Sequence, residues 1–530
     1  MLVHAGIRRD DEASPHEGAD MAQDDQQVHE FDVVVIGGGA VGENAADRAH
    51  RDGLSVVVVE EELVGGECSY WACMPSKALL RPGAVLEAAR AVPGAAQAVT
   101  GTVDVAATLA RRDEFTSHWD DHGQVEWLEG AGLALLRGRA RFTGPRELAL
   151  TGTDGGRQVV RARHAVVVAT GSEPVVPDAL ATVRPWTSRE VTSAEQVPGT
   201  LVVVGGGVVA VEMAVAYSDL GAQVTMLVRG SRVLPRAEPF ASDEVGEALV
   251  KRGIDVRYGA QATTATRDEQ GVHLTLGDGS RVDADEVLVA TGRTPRTGDL
   301  GVDVLGLTPG EPLVVDDALM VTGVEGGWLF AAGDVTGRTA TTHQGKYDAR
   351  VVGDVVAARF SAAAAASGAD GTDGSPGTGG GAGPGRSGAT GSAAERERSA
   401  GPWSRYRASA DHAAVPQVVF GCPEVAWVGR TEQEARDAGL DVRTVRYAIG
   451  SVAGASVAAD GYAGTAQLVL DEQRGTIVGA TFTGPDAAEL LHAATIGVVG
   501  EVPLDRLWHA VPAYPTVSEV WLRLLETAGL

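Results

Sequence analysis

Cysteine is scarce in this chain. Its 530 residues contain only three, Cys68, Cys73 and Cys422, which is too few for a disulfide scaffold. Cys68 and Cys73 lie five positions apart, and in a reducing compartment such a close pair indicates redox chemistry or metal binding rather than a structural cross-link. Lysine is equally rare, with three residues in all, yet Lys77 follows Cys73 by four positions.

The chain also lacks a net positive charge and long apolar runs. No apolar run reaches the roughly 20 residues that a bilayer span requires, and residues 1–30 lack the apolar segment of a signal peptide. The 44 basic and 71 acidic residues give a formal net charge of −27, which argues against binding to nucleic acid or to anionic membranes. We expect a soluble cytoplasmic protein, with translation starting at Met1 or Met21.

One pattern of strand, glycine-rich turn, helix and strand occurs twice. Residues 31–62 read FDVVVIGGGAVGENAADRAHRDGLSVVVVEEE, and residues 200–229 read TLVVVGGGVVAVEMAVAYSDLGAQVTMLVR. The continuous apolar runs on either side of each helix are typical of parallel strands buried on both faces. The duplication therefore predicts an α/β protein with two Rossmann-like, dinucleotide-binding domains.

The composition along the chain indicates where the domains end. Two strands that finish in Ala-Thr-Gly, within 162–174 and 284–295, return the chain from one domain to the next. Residues 361–401 are rich in Ala, Gly and Ser and are interpreted as a linker or insertion that buries no core. We predict a disordered tail (1–30), a first nucleotide-binding domain (31–187 and 296–358), a second one (188–295), a low-complexity insert (359–402) and an α+β C-terminal domain (403–530).

The first glycine motif has the spacing of a dinucleotide-binding turn. Gly37 allows the tight turn, Gly39 lets a pyrophosphate approach the backbone, and Gly42 lets helix and strand pack closely. The helix N-terminus supplies N–H donors for the phosphates. Glu60 ends the next strand, where an acid accepts hydrogen bonds from ribose hydroxyls.

The second glycine motif differs from the first. It has Gly205 and Gly207, but Ala210 replaces the third glycine. The strand that follows ends in Arg229 and, after two residues, Arg232, with no acid. Because arginine grips a 2′-phosphate that an acid would repel, the sequence favours NADPH over NADH, although these arginines could simply coat a surface loop.

The segment GECSYWACMPSK, from Gly66 to Lys77, carries the cysteine pair. Four intervening residues place the two thiols about one helical turn apart, close enough to form a disulfide after a small adjustment. A helix start beside Lys77 would lower a thiol pKa and stabilise a thiolate. A metal site is not supported, since no further Cys or His cluster completes a ligand set.

With these residues in view, the chain resembles the class I pyridine nucleotide–disulfide oxidoreductases, which include dihydrolipoamide dehydrogenase, glutathione reductase, mercuric reductase and the soluble transhydrogenase. The resemblance covers about 31–358 and 403–530. It is carried by G-G-x-C-x-x-x-x-C-x-P-S-K, by both glycine motifs, by both A-T-G strands and by Phe330-Ala331-Ala332-Gly333-Asp334, all in family order.

The resemblance implies a function and a role for each matching residue. NADPH would reduce FAD on one face of the flavin, and Cys73, against the other face, would form the redox disulfide with Cys68, which faces the substrate. Lys77 would pair with Glu212 near the flavin, and the C-terminal domain would form the interface of a homodimer. The residues expected to hold FAD are Gly37, Gly39, Gly42, Glu60, Gly66, Lys77, Thr170, Gly171, Gly333 and Asp334, and those expected to hold the nicotinamide coenzyme are Gly205, Gly207, Ala210, Arg229, Arg232 and Gly292.

One departure from the family pattern affects the acceptor. Disulfide reductases of this family end in His-Pro-Thr-x-x-Glu, whereas this chain has Tyr514 before Pro515-Thr516 and ends the motif with Glu519. Tyrosine, with an ordinary pKa near 10, is a poor proton shuttle at neutral pH. Mercuric reductase and the transhydrogenase share the tyrosine, but this chain lacks the additional cysteines of the first and has the complete pair that the second lacks. His509 is a candidate substitute for the missing base, or an ordinary surface residue.

These observations predict an enzyme that passes electrons from NAD(P)H through FAD and the Cys68–Cys73 pair to a small-molecule acceptor that the sequence does not identify. A quinone or metal-ion reductase, in which the cysteines relay electrons, is one alternative. A flavin-bound redox sensor, in which the disulfide state alters partner binding, is another.

Overall fold

The computed structural model of the protein describes residues 27–361 and 392–530. The tail up to residue 26, both candidate start sites and most of the low-complexity insert lie outside the described residues. Among the described residues, no helix is both long and apolar enough to cross a membrane. The cytoplasmic location stays a prediction.

The first nucleotide-binding region is built on a parallel sheet in the order β3-β2-β1-β6, to which the antiparallel strands β5 and β4 are added beyond β6. Valine side chains of β1, β2 and β6 are almost fully buried and form the core. The elements are β1 (Val28–Ile36), α1 (Ala40–His50), β2 (Val56–Glu60), α2 (Gly66–Tyr70), α3 (Cys73–Arg90), α4 (Val105–Phe115), α5 (His122–Gly130), β3 (Ala134–Arg137), β4 (Arg139–Gly144), β5 (Glu147–Thr151), β6 (Arg157–Val168), β7 (Ser172–Pro174), α6 (Asp178–Ala181) and α7 (Ser188–Ser193).

Strand β1 begins three residues earlier than the sequence predicts. It starts at Val28 rather than at residue 31, because the twelve-residue strand β6 extends far enough to pair with its N-terminal end, Val28 opposite Val159.

The second nucleotide-binding region repeats the first in smaller form. Its parallel sheet has the order β10-β9-β8-β14, an antiparallel sheet β11-β12-β13 lies beside it, and β15 pairs with β7. The elements are β8 (Thr200–Val204), α8 (Val208–Asp219), β9 (Gln223–Val228), α9 (Pro239–Lys251), β10 (Asp255–Tyr258), β11 (Ala262–Asp268), β12 (Gly271–Leu276), β13 (Arg281–Ala284), β14 (Glu286–Val289) and β15 (Arg293–Pro295).

The chain then returns to the first sheet. Strand β16 (Leu329–Ala331) pairs in parallel with β6, and α10 (Thr342–Phe360) packs against α1. The two helices approach closely because α10 has glycines at the contact. A Cβ atom on Gly345 would lie 2.6 Å from a Val41 methyl, and one on Gly353 would lie 2.4 Å from the Arg48 Cβ.

The end of the predicted insert differs from the expectation that residues 361–401 bury no core. Its described end forms α11 (Ala393–Arg398), which packs against α10. It is followed by α12 (Ala410–Ala413), whose Asp411 accepts a hydrogen bond from Gln344 of α10. Glu397 is fully buried and accepts hydrogen bonds from Arg359 at 2.8 Å and Arg407 at 3.1 Å. Paired charges, rather than apolar side chains, hold this segment against the protein. Its polar composition therefore gave no sign that one of its residues is buried.

The C-terminal region is an antiparallel sheet in the order β17-β18-β21-β20-β19, covered by helices. This matches the predicted α+β domain. Its elements are β17 (Gln417–Val419), β18 (Glu424–Gly429), α13 (Glu432–Asp437), β19 (Val442–Ala448), α14 (Ala453–Ala458), β20 (Thr465–Asp471), β21 (Thr476–Gly484), α15 (Ala487–Val499), α16 (Leu504–Leu507) and α17 (Val520–Thr527).

Two carboxyl groups meet between α10 and α12. Asp348 is fully buried, and Asp411 beside it is held by Gln344 at 2.7 Å and Arg338 at 3.3 Å. Burial, together with the negative charge of Asp411, raises the pKa of Asp348 to about 8. Asp348 is therefore protonated in the folded protein at neutral pH.

This pair makes stability depend on pH. Since the pKa of Asp348 is raised in the folded state, its contribution to stability is complete below pH 4 and declines as pH rises towards 8. Asp348→Asn cannot ionise. As pH rises through this range, we therefore expect the unfolding free energy of the variant to increase relative to that of the native protein, by about 1.4 kcal/mol for each unit by which the pKa of Asp348 is raised. Urea unfolding at pH 5 and pH 9 measures the gain, with exposed Asp460→Asn as control. A difference between Asp348→Asn and the native protein that is the same at both pH values would contradict this account.

Candidate active site

The turn between β1 and α1 has the tight geometry that its glycines predict. Gly37 has a φ of +99°, and a Cβ atom there would lie 2.5 Å from the Ala169 carbonyl oxygen. A Cβ on Gly42 would lie only 1.8 Å from the Gly37 oxygen. At Gly39 the nearest atom to a Cβ would be 3.7 Å away. The backbone at Gly39 is therefore open to a ligand, as its predicted role requires.

Several predicted residues converge at the carboxyl edge of the first sheet. Gly37, Glu60 and Thr170 follow or end the parallel strands β1, β2 and β6, and they line one cavity with Arg139 and Arg296. Ligands bind at this edge in open α/β sheets. The Glu60 carboxylate accepts hydrogen bonds from the Gly38 N–H at 2.6 Å and the Glu62 N–H at 2.7 Å, while burial raises its pKa.

The turn after β16 brings Asp334 to the same edge. Its carboxylate accepts a hydrogen bond from the Ser172 hydroxyl at 2.6 Å, and Gly333 and Gly171 adopt φ values of +77° and +72°. The hydroxyl oxygens of Thr339 and Thr341 are shielded from solvent and have no hydrogen-bond partner among the described residues. The open backbone, the cavity and these unpartnered hydroxyls fit a long polar cofactor such as FAD.

The second glycine motif forms a similar turn with less crowding. Gly205 has a φ of +139°, and a Cβ there would lie 2.3 Å from the Ala290 oxygen, whereas Gly207 is open. Ala210 is fully buried and tolerates its methyl group where the first motif requires glycine. Gly292, with a φ of +142°, lies just after strand β14 of the same sheet. These residues lie together at the carboxyl ends of β8 and β14, where the sequence predicts the nicotinamide coenzyme to bind.

The two arginines of this region have different surroundings. Arg229 is exposed directly after β9. Arg232 donates a hydrogen bond to Asp243 at 2.8 Å. The Asp243 carboxylate partly neutralises Arg232, whereas Arg229 is exposed.

The cysteine pair spans a break between two helices. Cys68 lies in α2, Trp71 and Ala72 interrupt the helix, and Cys73 is the first residue of α3. The two cysteines therefore lie in different helices, and Cys73 lies at a helix start. Both cysteines are free thiols. The Thr342 hydroxyl lies 3.1 Å from the Cys73 sulfur.

The two thiols have different acidities. A hydrogen bond from Cys68 is the main reason that the pKa of Cys73 is lowered to about 6, and Thr342 and Lys77 assist against the opposing effect of burial. The same interaction with Cys73, together with burial, raises the pKa of Cys68. At neutral pH the reduced pair therefore holds a thiolate on Cys73 and a proton on Cys68.

The predicted partner of Lys77 is in place. Its Nζ donates a hydrogen bond to the Glu212 carboxylate at 2.7 Å, and Glu212 is only 3% exposed. The Phe420 N–H donates to the other Glu212 oxygen at 3.0 Å, and the Phe420 ring lies 4.9 Å from Nζ. This arrangement fixes the ammonium group one helical turn from Cys73.

The C-terminal candidates differ in their exposure to solvent. Tyr514 is 77% exposed on a loop, and His509 is also exposed. Glu519 is buried, with one oxygen bound by Arg523 and the other without a partner among the described residues. The neighbours with the largest effects on the thiols come instead from α2, α3 and α10.

Sequence reasoning missed several neighbours of the cysteine pair. Besides Thr342 and Phe420, Arg189 bridges Glu62 and Glu67 and stacks on Trp71 at 4.2 Å. Arg189 lies more than 100 positions from these partners. No local motif marks Thr342, Phe420 or Arg189.

Comparison with known proteins agrees with this geometry. The family model described as "Pyridine nucleotide-disulphide oxidoreductase" matches residues 31–354, and the model of that family's dimerisation domain matches residues 415–524. The second match begins after α12, so the segment 403–414 belongs to neither match.

Relatives cover nearly the whole chain. A dihydrolipoyl dehydrogenase of Chlorobaculum tepidum is 30% identical over 94% of this chain and 97% of its own length. A mercuric reductase of Shigella flexneri is 32% identical over 92% of this chain and 79% of its own length. The HOCl-induced flavoprotein disulfide reductase RclA of Escherichia coli, solved as a Cu(II) complex, shares the fold with a TM-score of 0.75 at 22% identity, covering 94% of this chain and 99% of that one.

The two glycine turns, the acidic thiol at a helix start and the match to the dimerisation-domain model occur together in one chain. This protein belongs to the pyridine nucleotide–disulphide oxidoreductases, FAD-dependent enzymes that use NAD(P)H.

Proposed function

We propose that this enzyme is an NADPH-dependent homodimer that reduces quinones, or other acceptors without a thiol leaving group, faster than it reduces small disulfides. Bound FAD supplies two-electron transfer between the nicotinamide and the cysteine pair. The observation that carries the proposal is a contrast. The thiolate site at Cys73 is complete, yet Tyr514 occupies the position of the proton-donating histidine of the family.

The thiolate side of the site supports electron delivery. Cys73 gains its low pKa from Cys68, Thr342 and Lys77, none of which depends on a histidine. Lys77 is held by Glu212 at 2.7 Å. The residues that hold a reactive thiolate are therefore all supplied within one chain.

The proton side of the site is weaker. A departing thiolate with a pKa near 8.5 needs a positioned acid, and such catalysis typically contributes 10²–10⁴ in rate. A phenol with a pKa near 10 cannot exchange protons as imidazole does. A quinone takes up its protons from water more easily, so it tolerates Tyr514 better than a disulfide does.

The homodimer is supported by apolar exposure on the dimerisation domain. Val511 is 85% exposed beside Tyr514, and Ile496, Val499 and Trp508 are also exposed. Contiguous exposed apolar side chains typically mark an interface.

Metal-ion reduction is the second candidate. It is favoured by the mercuric reductase that is 32% identical. In the described ranges, however, no group of three or more His, Cys, Asp or Glu residues could hold a metal ion.

One prediction of the proposed function concerns FAD binding. Gly42→Ala should bind FAD poorly, because its methyl group would meet the Gly37 oxygen at 1.8 Å. The FAD released per chain after denaturation measures this effect, and the native protein should release FAD rather than FMN. Gly123→Ala, at an open position in α5, is the control. A Gly42→Ala variant with full FAD content would contradict the assigned cradle.

The second prediction concerns the coenzyme. The native enzyme should prefer NADPH, and Arg229→Glu should weaken NADPH by roughly 10- to 100-fold more than NADH, since it removes charge-assisted hydrogen bonds to the 2′-phosphate. Steady-state kinetics with both coenzymes gives the ratio. Arg281→Glu, an exposed change of the same charge in the same region, should leave it unchanged. Equal constants for the two coenzymes in the native enzyme would refute the proposal.

The third prediction concerns the acceptor. Tyr514→His should raise lipoamide or glutathione disulfide turnover at least tenfold, because imidazole can protonate the leaving thiolate and the free oxygen of Glu519 can accept its N–H. Tyr514→Phe should give no rise, and quinone reduction should change little in either variant. Native lipoamide turnover of about 10–10³ per second would show that Tyr514 does not limit disulfide reduction. His509 would then be mutated next.

A further inference from the structure

The break between α2 and α3 is held by side chains from outside both helices. A helix end leaves its last carbonyl groups without partners in the helix, and Pro75, four residues after Trp71, has no N–H to offer. The Trp71 oxygen instead accepts a hydrogen bond from the Thr192 hydroxyl of α7 at 3.0 Å. The Tyr70 oxygen accepts one from the Trp119 indole N–H at 3.2 Å. The backbone between the two cysteines is therefore tied to α7 and to the turn after α4.

The side chain of Trp71 is held from α7 as well. The Arg189 guanidinium lies 4.2 Å from the centre of the Trp71 ring, within the range of cation–π attraction. Its Nε donates a hydrogen bond to the Glu67 carboxylate at 2.6 Å, and its other two nitrogens donate to the two oxygens of Glu62 at 2.9 and 2.7 Å. A bidentate pair of this kind fixes the position of a guanidinium. Arg189 is therefore held against Trp71 and against the residue that precedes Cys68.

Helix α7 is itself well supported. Arg112 of α4, which is only 2% exposed, donates a hydrogen bond to the Thr192 oxygen at 2.8 Å and lies 5.3 Å from the Trp119 ring. The Tyr217 hydroxyl of α8 donates to the Val191 oxygen at 2.7 Å. A functional residue is held precisely when the groups that contact it are themselves packed and hydrogen-bonded. Both donors to the break meet this condition, because one buried arginine contacts them both.

We propose that Arg189 and Thr192 are positioning residues, which hold the break at Trp71 so that Cys68 and Cys73 stay within reach of a disulfide bond. They act through Trp71 and Glu67. This role rests on the proposed function, in which the cysteine pair alternates between dithiol and disulfide. It deepens that function by naming the residues that set the geometry of the pair.

The disulfide is the form that depends on this geometry. A disulfide requires Cα atoms about 4.4–6.8 Å apart and a narrow range of torsion angles, whereas two thiols have no such requirement. Loosening the break should therefore destabilise the disulfide more than the dithiol. Loss of the Arg189 charge by itself would act in the opposite direction, because positive charge stabilises the thiolate of the reduced pair. The sign of the change thus separates positioning from charge.

Equilibration with dithiothreitol measures this effect. The holoenzyme is incubated anaerobically at pH 7 with set ratios of reduced and oxidised dithiothreitol, free thiols are alkylated, and the mass of the peptide with Cys68 and Cys73 gives the disulfide fraction. When the enzyme disulfide is broken, dithiothreitol gives up two electrons and two protons and closes its own disulfide. One proton remains on Cys68, and the other passes to solvent from the Cys73 thiolate.

Arg189→Gln should lower the equilibrium constant for closing the enzyme disulfide at least tenfold, which corresponds to about 30 mV. Arg184→Gln, the same change at an exposed position before α7, is the matched control and should leave the constant unchanged. A native constant in Arg189→Gln would overturn the inference. A more stable disulfide would overturn it too, since charge alone produces that result.

A double-mutant cycle tests whether Arg189 acts through Trp71. Trp71→Leu removes the ring and should also make the disulfide less stable. The variant with both changes should lower the equilibrium constant by less than the two single changes combined, because residues that share one contact are not additive. Fully additive changes would show that Arg189 does not act through Trp71, and would overturn the inference.

Thr192→Val keeps the test open if Arg189→Gln fails to fold. It removes the hydroxyl that binds the Trp71 oxygen with little change of shape, and it should lower the same constant by roughly threefold or more. A native constant in Thr192→Val would overturn the inference. A native enzyme in which Cys68 and Cys73 never form a disulfide would instead contradict the proposed function.

Discussion

The ion pair between Lys77 and Glu212 joins the three regions of this enzyme. Lys77 lies on α3, Glu212 lies on α8 of the second nucleotide-binding region, and the Phe420 N–H of the C-terminal region completes the carboxylate's hydrogen bonds. A nearly buried carboxylate requires such partners. The requirement fixes α3, and with it Cys73, relative to both neighbouring regions, so the reactive thiolate depends on a contact between domains.

Charge and protons are handled by different parts of the site. The thiolate on Cys73 is stabilised by a hydrogen bond from Cys68, by Thr342 and by Lys77, all within one chain. Proton transfer to an acceptor would ordinarily come from a histidine at position 514, where this chain has an exposed tyrosine. This combination underlies the proposed preference for acceptors without a thiol leaving group.

Much of the fold and site could be predicted because the relevant signals are local. The glycine spacing requires turns that no side chain could enter, as the 1.8 Å approach at Gly42 illustrates. The two repeats, the acid at Glu60 and the Cys-x-x-x-x-Cys segment are likewise short stretches of sequence. The helix break at Trp71–Ala72 could not be predicted, because tertiary contacts rather than local spacing decide where a helix is interrupted.

By itself the sequence determined the two nucleotide-binding units, the cysteine pair, the family and the missing histidine. Each of these features depends on a short stretch of neighbouring residues. Only the tertiary structure decided which groups surround the cysteines. Thr342 and Phe420 come from distant positions, and only the packing of α10 and of the C-terminal region against α3 brings them to Cys73 and Lys77. The buried charges around Glu397 follow the same rule, since a glutamate in a polar segment looks solvent-exposed until the fold supplies its two arginines.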